Sequence, residues 1–226
     1  MRLIFAAATL VAITGCTSLT EQAQDSVTQT LPRVETIEFR NLQQYPGEVV
    51  CGEYKSTQRW GDSRGFHRFI YRAGQSDVRP SREDRAVFCS DDQAASLRAL
   101  TGIEAGPGHS QALRTVVTDL SRLQAALEEH YEDVAAYPDN EKGLDGLLTP
   151  GKNLLRAAQY RSGGYLDAIP LDPWGRPYLY AGPDFAGARQ PPTLMTLGAD
   201  GQPGGEGDAA DISLQQLHYL QHILGM

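Results

Sequence analysis

The stretch Leu197-Gly198-Ala199-Asp200-Gly201-Gln202-Pro203-Gly204-Gly205-Glu206-Gly207-Asp208-Ala209-Ala210-Asp211-Ile212 sets the tightest limit on the fold. Its five glycines and one proline exclude helix and regular strand, so the backbone must run as a series of tight turns. Carboxylates alternate with the glycines. Asp200, Asp208 and Asp211, with Glu206 between them, are placed to converge on a hard cation, and the carbonyls of Leu197 and Gln202 can complete an oxygen shell. Calcium accepts such a set in a flexible geometry. The same residues also suit plain turn chemistry, and composition does not separate the two. The spacing is not that of an EF-hand, because Gln202 and Gly204 stand where further ligands would follow Asp200. Nor does it repeat as a calcium-binding β-roll would.

The residues ahead of this loop alternate between turn and strand signals. In Asp172-Pro173-Trp174-Gly175, Pro173 sets φ for a turn, Gly175 relieves it, Asp172 can accept from amides ahead of it, and Trp174 is left to cover the core. Tyr178-Leu179-Tyr180 and Thr193-Leu194-Met195-Thr196-Leu197 have the period of strands. Further upstream, Leu113, Val116, Val117, Leu120, Leu123, Leu127, Tyr131 and Val134 recur at three- and four-residue steps. They predict a one-sided helix from about Ser110 to Val134. At 1.5 Å per residue that is a rod of about 37 Å.

Three blocks carry a resemblance to a known family. Ala126-Leu127, with Tyr137-Pro138 and Lys142-Gly143-Leu144, is similar to the end of its spine helix and the loop that follows. Gly164-Tyr165-Leu166 with Pro170-Leu171-Asp172-Pro173-Trp174-Gly175-Arg176-Pro177-Tyr178-Leu179-Tyr180 resembles its central block, and the glycine loop resembles its C-terminal loop. The family is the major pseudopilin of type II secretion systems. The resemblance covers about half the chain. It implies an α+β domain in which a long spine helix packs on a small antiparallel sheet, with calcium held by Leu197, Asp200, Gln202, Asp208 and Asp211. One departure is plain. A pseudopilin's spine continues an apolar assembly segment, whereas here Ser90-Asp91-Asp92-Gln93 is polar and Gly102 and Gly106-Pro107-Gly108 break any helix before Ser110. Polymerisation as an ordinary pilus subunit is not expected.

The start of the chain offers a different handle. Met1-Arg2 precedes the apolar run Leu3 to Ala12, and Ile13-Thr14-Gly15-Cys16 closes it. The run is too short to span a bilayer but suits a signal peptide. Its end resembles the lipobox of bacterial lipoproteins, which implies that Cys16 is acylated, palmitate among its chains, and becomes the first mature residue. Several chains on one residue anchor stably. Thr17 follows Cys16 where an inner-membrane retention signal would have Asp, which favours the outer membrane over the inner one. Thr17 to Arg33 is polar and acidic with scattered apolar residues, the composition of a flexible tether.

Cys51 and Cys89 remain in the mature chain, in a compartment that permits oxidation. A disulfide between them is the reading adopted, with two buried thiols as the alternative. Val49-Val50, Phe66, Phe69-Ile70-Tyr71 and Ala86-Val87-Phe88 read as short strands of a small stapled β-module. Arg59, Arg64, Arg68, Arg72, Arg79, Arg82 and Arg85 lend it positive charge in a chain of net charge −8. They suit either an anionic partner or an ordinary surface balanced by Glu53, Asp62, Asp77, Glu83 and Asp84.

No nucleophile elbow, phosphate loop or facing carboxylate pair stands out, and the reading is non-enzymatic. Glu128, Glu129, Glu132 and Asp133 share one helix surface instead of facing one another across a cleft. His218 and His222 have a spacing that can hold zinc, but Tyr219 takes the place of a metalloprotease Glu and no third ligand is evident, so helix packing accounts for them better. An acidic, Lys-poor body also excludes nucleic acid.

The expected organisation is α+β: a signal peptide over 1–15, lipidated Cys16 and tether over 16–33, a β-module over 34–92, a linker with a short helix around Ala94–Leu100 over 93–109, and a calcium-stabilised pseudopilin-like domain over 110–226. The expected function is that of a lipid-anchored envelope protein facing the periplasm. It would have an accessory or interaction role in type II secretion-like export, with secretion components or secreted cargo as partners. The alternative is a glycan- or peptidoglycan-binding module using Tyr54, Trp60 and Phe66. The sequence leaves the oligomeric state open.

Overall fold

The computed structural model describes residues 17–32, 34–58, 61–62, 65–151, 154, 156–183 and 190–226. The expected signal segment, Cys16, Arg59, Trp60 and Arg64 lie outside the described residues. The chain divides between Pro80 and Ser81 into two compact units. The module expected over 34–92 therefore ends at Pro80.

The first unit opens with helix α1, Leu19–Thr30, where a tether was expected. Leu19, Ala23, Val27 and Leu31 recur every four residues and form an apolar stripe, and Ser18 with Glu21 makes a complete capping box. Ala23 and Val27 are fully buried. The antiparallel sheet beneath comprises β1 (Val34–Tyr45), β2 (Val49–Gln58), β3 (Gly61–Asp62), β4 (His67–Arg72) and β5 (Gln75–Asp77). Its order is β1-β2-β4-β5, with β3 paired to the end of β2. Ala73 and Gly74 both have positive φ, as a two-residue type I′ hairpin turn requires. Val50, Tyr54, Phe69 and Tyr71 from one sheet face meet Ala23 and Val27.

The second unit begins with α2, Arg82–Phe88, so the strand expected at Ala86-Val87-Phe88 is the last turn of a helix. Ser81 and Asp84 form its capping box, and Val87 and Phe88 lie on its buried side. The expected linker helix is α3, Gln93–Thr101, capped by Asp92 and ended by left-handed Gly102. Its Leu97 is fully buried, which makes α3 part of the core of this unit.

The spine is α4, Gln111–Val134, with Ser110 as its N-cap and the stripe from Leu113 to Val134 buried as expected except at Tyr131, which is half-buried. Strands β6 (Leu179–Ala181), β7 (Thr193–Thr196) and β8 (Ile212–Ser213) form an antiparallel sheet in that order. Helix α5, Leu214–Leu224, follows from a Ser213–Gln216 capping box, and its Gln221 Nε2 donates to Ser121 Oγ on α4 at 3.0 Å. Among the described residues, no helix is long and apolar enough to cross a membrane. Cys51, in β2, and Cys89, after α2, are disulfide-bonded.

Candidate functional site

The centre of the second unit is the turn at Asp172. Its side chain is 1% exposed and fully engaged. Oδ1 accepts from the amides of Trp174 (3.0 Å) and Arg176 (2.8 Å), as the turn chemistry predicts, and Oδ2 accepts from Thr196 Oγ1 on β7 (2.7 Å). Trp174 is half-buried and does not cover the core; Tyr178 does. The Tyr178 hydroxyl donates to Asp119 Oδ2 on the spine at 2.9 Å, and the Tyr180 hydroxyl donates to Pro138 O at 2.7 Å. Burial raises both phenols above their ordinary value, helped by the carboxylates of Asp119 beside Tyr178 and Asp139 near Tyr180.

Arg176 links this turn to the glycine loop. Its Nε lies 3.6 Å from Asp172 Oδ2, and its guanidinium donates to Gly198 O and, at 3.3 Å, to Ala199 O. All five loop glycines, Gly198, Gly201, Gly204, Gly205 and Gly207, have positive φ. Only glycine takes up this conformation without steric cost. The loop closes on itself through Ala199 N to Asp208 O (2.6 Å) and Asp211 N to Gly204 O (3.2 Å), and Gly207 N donates to Gly102 O at the end of α3 (2.8 Å).

The five expected calcium ligands share this loop in different states. Asp200 Oδ1 accepts from Gln202 N at 2.9 Å, and Asp211 Oδ2 accepts from Gly204 N at 2.9 Å. Asp200, Gln202 and Asp208 are exposed, whereas Leu197 and Asp211 are half-buried. Asp211 Oδ1 is buried with no hydrogen-bond partner. An orphaned carboxylate oxygen among exposed carboxylates and carbonyls is a donor set of the kind a hard cation takes. The carboxylates are not gathered into one cage: among the described residues, no three His, Cys, Asp or Glu side chains are grouped to hold a metal. A cation would have to draw Asp200 and Asp208 towards Asp211.

Other candidates resolve into structural contacts. His218 Nε2 meets Asp84 Oδ1 at 3.1 Å and His222 Nε2 meets Gln93 Oε1 at 3.1 Å, so the two imidazoles serve separate partners. Glu129 and Asp133 share Arg161. Glu53 is shared by Arg40 (2.7 Å) and Arg68 (3.8 Å), the balanced-surface arrangement.

Asp84 carries a pH dependence. Burial alone would raise its pKa, but hydrogen bonds from Ser81, His218 and Tyr219 outweigh that and hold it at about 2, below the ordinary 3.8. A depressed carboxylate pKa stabilises the fold above the ordinary value, and that stability is lost as pH falls from about 4 towards 2. Solvent screening of this partly buried group keeps the loss below the full equivalent of the shift, at about 1 kcal/mol. Urea unfolding between pH 5 and pH 2 should show the decline, and Asp84→Asn should flatten it.

Sequence reasoning missed Arg176, Thr196 and His130. His130 is 1% exposed and donates from Nδ1 to Ala136 O at 2.6 Å, fixing the left-handed stop after the spine; burial lowers its pKa. Its place four residues before Val134 on the apolar stripe was the available signal.

The model of the family described as type II secretion system (T2SS), protein G matches residues 107–215. A type II secretion system core protein G from Vibrio cholerae is 44% identical over 96 residues, covering 42% of this chain and 63% of that protein. The Pseudomonas aeruginosa protein of the same description is 38% identical over 94 residues, covering 42% and 64%. The chain thus spans less than two thirds of either. That of Klebsiella michiganensis is 33% identical over 101 residues, covering 45% of this chain and 69% of that protein. The crystal structure of the major pseudopilin from the type 2 secretion system of enterohaemorrhagic Escherichia coli aligns with 31% identity and a TM-score of 0.37, covering 46% of this chain and 85% of that one. The family match takes in α4, the Asp172 turn, β6 to β8 and the whole glycine loop. By this sequence identity, the chain belongs to the type II secretion system protein G family.

Proposed function

We propose that the chain is a non-enzymatic, lipid-anchored envelope protein that serves type II secretion-like protein export in an accessory or interaction role, through its protein G-like unit. Secretion-system components or secreted cargo are its partners. The acylated Cys16 holds it to the membrane on the periplasmic side, with the outer membrane favoured by Thr17. The observation that carries the secretion reading is the family match over the spine, the Asp172 turn and the glycine loop. Deleting the chain is expected to leave secreted proteins in the periplasm, restored by the native chain and not by Cys16→Ser. Unimpaired secretion in the deletion strain would overturn the reading.

Calcium is proposed as the structural ion of loop 197–212, held by the carboxylates of Asp200, Asp208 and Asp211 and the carbonyls of Leu197 and Gln202. The orphaned Asp211 Oδ1 supports this. The ion supplies charge neutralisation and turns binding free energy into folding free energy. At about a hundred times its dissociation constant it adds about 2.7 kcal/mol, or roughly 5–10 °C in melting temperature for a chain of this size. Thermal unfolding in chelator and then in millimolar calcium reads this directly. Asp200→Ala and Asp208→Ala should each abolish the shift, and an unchanged response in both would exclude these ligands.

A further inference from the structure

The fold begins almost at the proposed anchor. Ser18 N donates to Glu21 Oε2 at 2.7 Å, Glu21 N donates to Ser18 Oγ at 3.2 Å, and Gln22 Nε2 donates to Thr17 O at 3.1 Å. From Cys16 to Leu19 is three steps along the chain, which reach about 10 Å at full extension. A lipid on Cys16 therefore brings the headgroups to within that distance of the start of α1.

The start of α1 is itself fixed to one end of the sheet. Gln44 Nε2, one residue before the end of β1, donates to Thr20 Oγ1 at 3.0 Å, and the Tyr71 hydroxyl, one residue before the end of β4, donates to Gln22 Oε1 at 3.3 Å. At that same end β1 turns into β2 through Pro46-Gly47-Glu48, and β4 turns into β5 through Ala73-Gly74. We infer that this end of the first unit, the α1 N-terminus with the two hairpin tips, is a membrane-apposed face that rests on the headgroups of the bilayer holding the anchor, the strands and α1 running away from it. The inference depends on the lipidation of Cys16 proposed above.

The chemistry of the face fits contact with headgroups and not insertion. Its tips are Pro, Gly, Glu and Ala, and the large exposed apolar side chains among the described residues, Leu100, Leu171, Leu179 and Met226, all lie in the other unit. Glu48 and Arg72 stand at the two tips with opposite charges and Glu21 stands in the first turn of α1, so the face has no excess of positive charge to select anionic lipid. The acyl chains supply the affinity, and the short connection supplies the orientation.

The test uses the full, lipidated chain in vesicles of phosphatidylethanolamine and phosphatidylglycerol that carry a headgroup-labelled nitroxide lipid. Gln75→Cys reports on the near end and Thr30→Cys, at the far end of α1, on the opposite one; both positions are exposed. With Cys51 and Cys89 bridged and Cys16 acylated, the introduced thiol is the only one open to a fluorophore. The expected result is quenching several-fold stronger at position 75 than at position 30, repeated by Glu48→Cys against Thr28→Cys should either first variant misfold. Equal quenching at both ends overturns the end-on face. So does the lack of quenching at either end in chains that float with the vesicles, and both of these outcomes leave lipidation standing. A Cys16→Ser chain that still floats overturns the lipidation reading and this inference together.

Discussion

Gly205→Ala is expected to lower the stability of the second unit by about 3 kcal/mol, the sum of a left-handed backbone that alanine resists and a steric clash. Gly205 has φ +86, and a Cβ there would lie 2.3 Å from Ala209 O and 2.8 Å from Ala209 C, backbone atoms with no rotamer to retreat into. Gly204 is the internal control. Its φ is +96, but a Cβ would meet nothing within 4 Å. Gly204→Ala should therefore carry only the backbone cost, about 1–2 kcal/mol. Thermal unfolding followed by Trp174 fluorescence in a Trp60→Phe background separates the two. Equal losses for both would mean that the loop does not hold the close approach to Ala209.

Removing the Asp172 carboxylate should be at least as damaging. Asp172→Ala leaves two backbone amides and the Thr196 hydroxyl without their acceptor inside the unit, and takes the counter-charge from Arg176. Breaking such a buried charged network costs about 3–5 kcal/mol. Asp172→Asn keeps the volume but turns an NH2 group towards donors, so it should recover little. The effect should spread to the glycine loop, because Arg176 then loses the carboxylate that helps hold its guanidinium at Gly198 and Ala199. Limited proteolysis should show faster cleavage within 198–211 in both variants. A loop cleaved at the native rate would mean that its order is independent of the turn.

How much of this was visible beforehand follows from period and reach. The spine and α5 were legible because their apolar residues repeat at helical steps over several turns, and β6 and β7 were placed to within a residue by alternation. Three residues, Ala86 to Phe88, carry no period, and the capping box that decides their fate lies upstream at Ser81 and Asp84. Helix α1 was hidden by composition: the polar residues of 17–33 outnumber the stripe of Leu19, Ala23, Val27 and Leu31, although the four-residue repeat was there to be read. Strand β1 escaped because most of its side chains stay in solvent and its register shifts between Arg40 and Gln43. At the candidate site, the turn at Asp172 and the glycine loop were legible as local chemistry. Their connection through Thr196 and Arg176 spans more than twenty residues of sequence, and no local pattern encodes it.

The bond from Gly207 N to Gly102 O bears on where this protein could be cut. The recognisable family segment starts at residue 107 and stops at 215. Yet the loop inside it rests on the last turn of α3, where a Cβ on Gly102 would stand 2.7 Å from Gly205 O, and the helix that closes the unit runs on to Leu224. The length of chain that sequence comparison picks out is shorter at both ends than the compact unit, Ser81 to Met226. An excised or transplanted domain would keep its cooperative unfolding only if it carried Ser81 to Met226.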